Sequence, residues 1–253
     1  MEKSEIVYGR NSVEALLEAN KRRVNKVLIA KGVKFDSKIK KIVDLARANN
    51  IPVQEVPREK LNIVAEGSHQ GVAASVSPIE YIEFDQFLKE IKDTIDALVV
   101  VLDGIEDPHN LGAIIRTAAV AGANGIIIPR RRSSPVTATV EKASAGTVEK
   151  IPIIQVTNLV NAIDELKQAN FWVFGAESEG NKYYFQADYN GNCVIVIGGE
   201  DKGISTLVKK HCDELVKIPM PGNINSLNAS NAASIVIYEV IRQRISRNIS
   251  APK

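Results

Sequence analysis

Short apolar runs of strand length recur along this chain, each followed by a stretch whose apolar residues fall at helical spacing, and this alternation constrains the fold most. Beyond the first third, the runs lie at residues 97–102, 125–128, 171–174, 194–197 and 215–218. All but the last, which contains Lys217, are free of polar side chains, as strands covered on both faces are. Strands alternating with helices predict an α/β architecture with a mostly parallel sheet. A last helix is predicted over residues 229–245, where Ala232, Ala233, Ile235, Val236, Val240 and Ile241 share a face. Residues 248–253 read as a frayed tail.

The first 77 residues repeat the pattern on a smaller scale. Asn11 or Ser12 can cap a helix through Asn20, and residues 24–30 read as a strand. Asp36 can cap a helix through Arg47, followed by a strand at 51–56, a short helix begun by Pro57 and a strand at 71–76. This is enough for a small domain. Residues 78–95 lose the strand pattern and read as a linker, so the expected domains are 1–77 and 96–253. No internal repeat or low-complexity segment stands out.

With 253 residues, 45% hydrophobic and 25% charged, the chain has the composition of an ordinary globular protein. None of its apolar runs approaches the roughly 20 residues of a membrane-spanning helix. Met1-Glu2-Lys3-Ser4-Glu5 has no apolar signal core, so a cytoplasmic location is expected. Cys193 and Cys212, the only cysteines, match no metal-binding spacing and read as structural thiols, with no metal expected. The net charge of +2 conceals an asymmetry: residues 1–77 carry 14 Lys and Arg against 9 Asp and Glu, and residues 78–253 carry 18 against 21. Lys21, Arg22, Arg23, Lys26, Lys31, Lys34, Lys38, Lys40 and Lys41 hold most of the excess. A surface that meets a polyphosphate backbone has this distribution, and so does a solvated face. Charge alone leaves both open.

Three segments near the ends of apolar runs carry the functional signal, where α/β folds build their sites. The first is Leu102-Asp103-Gly104-Ile105-Glu106-Asp107-Pro108-His109-Asn110-Leu111-Gly112-Ala113-Ile114-Ile115-Arg116, in which Asn110 can cap a helix and Arg116 lies two turns along it. The second is Ile197-Gly198-Gly199-Glu200-Asp201-Lys202-Gly203-Ile204, whose glycines free the backbone to approach a ligand beside a carboxylate. The third is Ile218-Pro219-Met220-Pro221-Gly222-Asn223-Ile224-Asn225-Ser226-Leu227-Asn228-Ala229-Ser230, a loop leading into the final helix. Singly, Asn110, Glu200, Ser226 and Asn228 are most simply cap, surface or turn residues. No GxGxxG follows a strand, and GGEDKG lacks the ending of a phosphate-binding P-loop, so Rossmann and ATPase readings have little support.

Together, in this order and spacing, the segments resemble the three signature motifs of the SpoU methyltransferases of the SPOUT superfamily. Tyr8-Gly9-Arg10-Asn11-Ser12-Val13-Glu14-Ala15-Leu16 and His69-Gln70-Gly71-Val72 resemble the ends of the family's small amino-terminal RNA-binding domain, which is similar to ribosomal protein L30e. The resemblance implies a carboxyl-terminal domain threaded into a trefoil knot from about Val194 to the last helix, an exception to the rule against knots. It implies S-adenosylmethionine bound by Gly198, Ile218 and Leu227, with Gly199, Met220 and Ser226 close by. It also implies a homodimer in which Arg116 completes the partner's site, and a guanosine ribose in large-subunit (23S) ribosomal RNA as target.

Arg116 is the catalytic residue by this resemblance, with Asn110, Glu200, Ser226 and Asn228 at the remaining family positions. A guanidinium stays protonated, so its role as base stands against an alternative in which it binds phosphate and stabilises a developing alkoxide. Arg10, Arg22 and Arg23, with Arg130, Arg131 and Arg132 after the strand ending at Pro129, are the expected RNA contacts. His109 lies beside Asn110 without an identified partner and reads as structural. Two other readings remain: a transfer-RNA or antibiotic-resistance methyltransferase of the same family, and a non-enzymatic RNA-binding assembly factor, whose signature would be damaged motifs.

Overall fold

Most of the apolar runs become strands, and the amphipathic stretches between them become the helices that cover those strands. The computed structural model describes residues 4–65, 68–222 and 226–250. The first elements are β1 (Glu5–Tyr8), α1 (Arg10–Ala19), β2 (Val24–Ala30), α2 (Ser37–Ala48), β3 (Val53–Val56), α3 (Arg58–Val64) and β4 (Val72–Val76). They are followed by α4 (Phe84–Ile91), β5 (Leu98–Asp103), α5 (Pro108–Val120), β6 (Gly125–Pro129), α6 (Ala138–Ala143), β7 (Ile153–Val156) and α7 (Leu159–Gln168). The chain then forms β8 (Trp172–Ala176), β9 (Lys182–Tyr183), β10 (Cys193–Gly198), α8 (Thr206–His211), β11 (Glu214–Lys217) and α9 (Ala229–Ser250). Two compact units result, Met1–Glu80 with Val136–Lys150 and Tyr81–Pro135 with Ile151–Lys253.

The first unit holds a four-stranded sheet in the order β1-β4-β2-β3. β4 runs antiparallel to β1 and β2, and only β2 and β3 are parallel. Apolar runs do not encode polarity: β4 is buried along its whole length and reads like a parallel strand. Side chains alternate across the sheet, so Val27 and Ile29 meet Leu16, Ile39 and Ile42 of α1 and α2. Leu28 and Ala30 face Leu61 of α3 on the opposite side. Each fully buried Leu or Ile contributes on the order of 2 kcal/mol. Asp36 caps α2 as expected, accepting from the Lys38 and Ile39 N–H groups at 3.1 Å.

Residues 136–150 return to this unit after β6, carrying α6 and a short 3₁₀ turn, Thr147–Glu149. Arg22 anchors them. Its guanidinium donates to Glu141 at 2.6 Å, Glu149 at 2.9 Å, Glu5 at 3.1 Å and the Ser77 carbonyl at 2.6 Å. Arg22 was expected to meet RNA, but it is 6% exposed and committed to three carboxylates, so it is a structural cation. Burial pushes Glu141 up to about 7 against the pull of Arg22, and Glu149 and Glu5 push the same way.

The second unit is built on seven parallel strands in the order β7-β6-β5-β10-β8-β11-β9. α4, α7 and α8 pack Phe87, Ile163 and Val208 against Val99, Val101 and Val194 on one face. α5 and α9 pack against each other and on strands of this sheet. α4 lies within 78–95, and its Phe87 is fully buried in this core. β1, β7 and β9 were not expected; all are four residues or fewer. α9 runs to Ser250 rather than ending at 245. Its last turns leave Ile245 and Ile249 exposed and make polar contacts, Arg244 to the Gly191 carbonyl at 3.0 Å and Arg247 to Asp96. Residues 251–253 of the expected tail, and Met1, Glu2 and Lys3, lie outside the described residues. Burial pushes the Cys193 thiol up to about 12, consistent with a structural thiol. No helix among the described residues is long and apolar enough to cross a membrane.

Removing Arg22 leaves buried carboxylates without their cation, so Arg22→Ala should cost roughly 3–5 kcal/mol in urea unfolding; a loss below about 1 kcal/mol would contradict the cluster's role. The folded pKa of Glu141 lies above its ordinary value of 4.5, so the stability tied to this group is full below about 4.5 and is lost as pH rises through about 7. The stability difference between wild type and Glu141→Gln should therefore shift against wild type over that window; a difference independent of pH would refute the assignment.

Candidate cofactor pocket and catalytic residues

Strand register brings the functional segments to one edge. Gly198, the last residue of β10, pairs with Asp103 at the end of β5, and Ile197 pairs with Ala176 at the end of β8. The loops after these strands therefore open side by side at the carboxyl edge of the parallel sheet. The segment after β10 folds back on itself: Gly203 N–H donates to the Gly199 carbonyl at 2.9 Å, and Gly199 N–H to the Asp103 carbonyl at 2.9 Å. A Cβ at Gly198 would stand 2.0 Å from the Gly203 carbonyl carbon, and one at Gly199 would stand 2.3 Å from the Gly104 oxygen. Only glycine permits such backbone contact.

This loop walls a cavity of about 360 Å³. Gly198, Gly199, Ile218, Met220, Ser226 and Leu227, the six expected cofactor residues, all line it. Small-molecule sites begin at about this size. Glu177, Ser178, Glu179 and Lys209 also line it and were missed. Glu177 lies 2.5 Å from the Lys209 ammonium. The signal was available, since the segment after the apolar run 171–174 is another strand-end loop. Asn223, Ile224 and Asn225 of the third segment lie outside the described residues.

A second cleft, of about 740 Å³, shares the wall formed by Gly199 to Gly203. Asp103, Asp107, Asn110 and Arg132 line its other side. Asn110 does not cap α5: Asp107 does, accepting from the His109 N–H at 3.0 Å, with Pro108 in the first turn. Asn110 is instead buried, 6% exposed, and joins the other two segments. Its Nδ2 donates to Glu200 Oε1 at 2.9 Å, and its Oδ1 accepts from Asn228 Nδ2 at 2.8 Å. Asn228 Nδ2 also lies 2.5 Å from Glu200 Oε1, while its Oδ1 accepts from the Ser230 N–H at 3.0 Å and so caps α9. One residue from each segment thus meets in a single hydrogen-bonded cluster.

Arg116 stands apart. Six residues beyond Asn110, it lies about 120° around α5, is exposed, and lines neither space. Among the described residues its side chain makes no hydrogen bond or ion pair. His109 is exposed and also has no side-chain partner among them. Of the arginine triplet, Arg132 lines the second cleft, while Arg130 and Arg131 are exposed outside it. In the first unit Arg23 is exposed and Arg10 pairs with Asp36. No group of three His, Cys, Asp or Glu among the described residues is placed to hold a metal ion.

The SpoU rRNA Methylase family matches residues 97–238. The family described as RNA 2'-O ribose methyltransferase substrate binding matches residues 6–82. A Staphylococcus aureus protein whose name places it in the TrmH family of tRNA/rRNA methyltransferases is 48% identical over 241 residues, covering 94% of this chain and 96% of its own. The SpoU methyltransferase AviRb from Streptomyces viridochromogenes, solved in complex with the cofactor AdoMet, superimposes with a TM-score of 0.79 at 25% identity, over 96% of this chain and 91% of its own. An AdoMet-bound rRNA methyltransferase from Sinorhizobium meliloti gives a TM-score of 0.78 at 26% identity, over 94% and 87% of the two chains. With the three motifs meeting at one sheet edge and the family spanning more than half its length, the chain belongs to the SpoU rRNA Methylase family.

Proposed function

We propose that this chain uses S-adenosylmethionine to methylate the ribose 2'-hydroxyl of a guanosine in large-subunit (23S) ribosomal RNA, working in the cytoplasm as a homodimer. The observation that carries this reading is the pair of adjoining spaces divided by one glycine loop: a cavity lined by the motif residues, and a wider cleft beside it. The cofactor-bound AviRb and Sinorhizobium meliloti structures support S-adenosylmethionine as the cofactor, and its site is the cavity that the motif residues line. The residues fit that group: Gly198 and Gly199 keep the wall to bare backbone, Ile218 and Leu227 give apolar surface, and Glu179 suits its cationic end, Glu177 being paired with Lys209. When bound, the cofactor supplies an activated methyl group whose transfer needs no metal.

The chain's residues must hold and activate a poor nucleophile. Positioning alone can supply on the order of 7–11 kcal/mol. Asn110, Glu200 and Asn228 fix the wall between the two spaces and act as positioning residues, with Ser226 at the cavity rim. Arg116, cationic throughout, binds the target phosphate and stabilises the developing alkoxide, while a phosphate oxygen or water takes the proton. Its exposure away from its own chain's cavity supports delivery to the partner's site. The strand order, with β10 between β5 and β8 and β11 beyond β8, supports a trefoil knot through this region. The substrate-binding match over residues 6–82 supports an RNA ribose as the substrate. The intact cluster of motif residues argues against an inactive assembly factor.

The test is transfer of labelled methyl from S-adenosylmethionine to protein-free large-subunit RNA and, separately, to transfer RNA, with the modified nucleotide mapped. Label at one guanosine of the large-subunit RNA is expected; label only on transfer RNA would overturn the target. Arg116→Ala should leave cofactor affinity near normal and slow transfer by roughly two to four orders of magnitude; near-normal turnover rejects its role. Asn228→Ala removes a helix cap and two links of the cluster, so about 1 kcal/mol of stability should be lost along with most of the turnover. Unchanged melting and turnover would show that the cluster positions nothing.

A further inference from the structure

The two amino-terminal motifs, Tyr8-Gly9-Arg10-Asn11 and His69-Gln70-Gly71-Val72, have no part in the methyl-transfer site, yet the first unit brings them together. Gly9 N–H donates to the Val72 carbonyl at 3.0 Å, Arg10 Nε to the Gln70 carbonyl at 3.2 Å, and Arg10 N–H to Gln70 Oε1 at 3.3 Å. Where they meet, Arg10 and Gln70 line an open pocket of about 460 Å³ with Lys34 and Arg58. Lys34 and Arg58 are exposed and form no ion pair among the described residues.

Phe35, 66% exposed, follows directly on Val33 and Lys34 of the pocket's lining. Its neighbour Lys34 lines the pocket, and its other neighbour, Asp36, is ion-paired to Arg10. The ring is presented on a fixed turn: Asp36 N–H donates to the Lys34 carbonyl at 3.0 Å, closing a three-residue turn centred on Phe35, and Asp36 then caps α2. A bare aromatic beside cations on a rigid turn is the combination that stacks an unpaired base and holds its phosphates. Gln70 Oε1 is taken by Arg10, which leaves its amide N–H groups for an acceptor on a base edge.

We propose that this pocket is a subsite for one unpaired nucleotide of the RNA substrate. Phe35 stacks on the base, Gln70, held by Arg10, donates to its edge, and Lys34 and Arg58 meet the adjoining phosphates. The inference rests on the reading of the chain as an RNA-modifying enzyme, but its test reads binding rather than methyl transfer.

The full-length protein is titrated with a short single-stranded oligoribonucleotide carrying one 2-aminopurine, and with a blunt RNA duplex. Binding of the single strand should quench the fluorescent base. Phe35→Ala should lose the quench and weaken binding by roughly ten-fold or more, with S-adenosylmethionine affinity and melting unchanged, while Phe35→Trp should keep both quench and affinity. Lys34→Ala and Arg58→Ala should each reduce the dependence of log affinity on log salt by about 0.7. Equal affinity and quench in Phe35→Ala, or equal loss for single strand and duplex, overturns the subsite even if ribosomal RNA is methylated. A Phe35-dependent quench upholds it even if the methylated target proves to be another RNA.

Discussion

The site depends on how closely the main chain at Gly198 and Gly199 approaches the loops beside it. A single added carbon at either position would sit 2.0–2.3 Å from neighbouring backbone. Because those carbons are missing, the loop after β10 can turn back across the ends of β5 and β8. That return delivers Glu200 to Asn110 and Asn228 and leaves a thin wall between two spaces. A parallel sheet supplies the rest, since register alone aligns the strand ends from which the loops spring.

Charge is used in two different ways. In the second unit one carboxylate, Glu200, is a hydrogen-bond hub for amides, so the cluster fixes loops without needing an ion pair. In the first unit Arg22 holds three carboxylates, two of them buried, and ties residues 136–150 to the sheet. Such a cluster is a poor source of net stability but an expensive one to break. The exposed cations left over, Lys34 and Arg58 among them, are the ones free to meet phosphate.

The α/β class and five of the second unit's seven strands were legible because both-face burial writes apolar runs. The six cavity residues were legible only through resemblance, since spacing alone says nothing about which loops converge. Asn110 shows where local rules mislead: a residue type that caps helices was displaced by Asp107 three positions earlier and turned inward. Arg22 shows a deeper limit, because its partners Glu141 and Glu149 lie more than a hundred residues away and no local pattern announces them. Short strands such as β1 and β7 left no periodic trace, because their partners are distant, and the end of α9 is fixed by polar contacts while Ile245 and Ile249 stay exposed.

The most direct measurement is calorimetric titration of S-adenosylmethionine into wild type and Gly199→Ala. The variant's new methyl group would press on the Gly104 carbonyl and push the loop from its place. The account predicts binding by wild type and an affinity at least about ten-fold lower, ~1.4 kcal/mol, in a variant that remains folded. Equal affinity in the two proteins, or no binding by wild type, would contradict it.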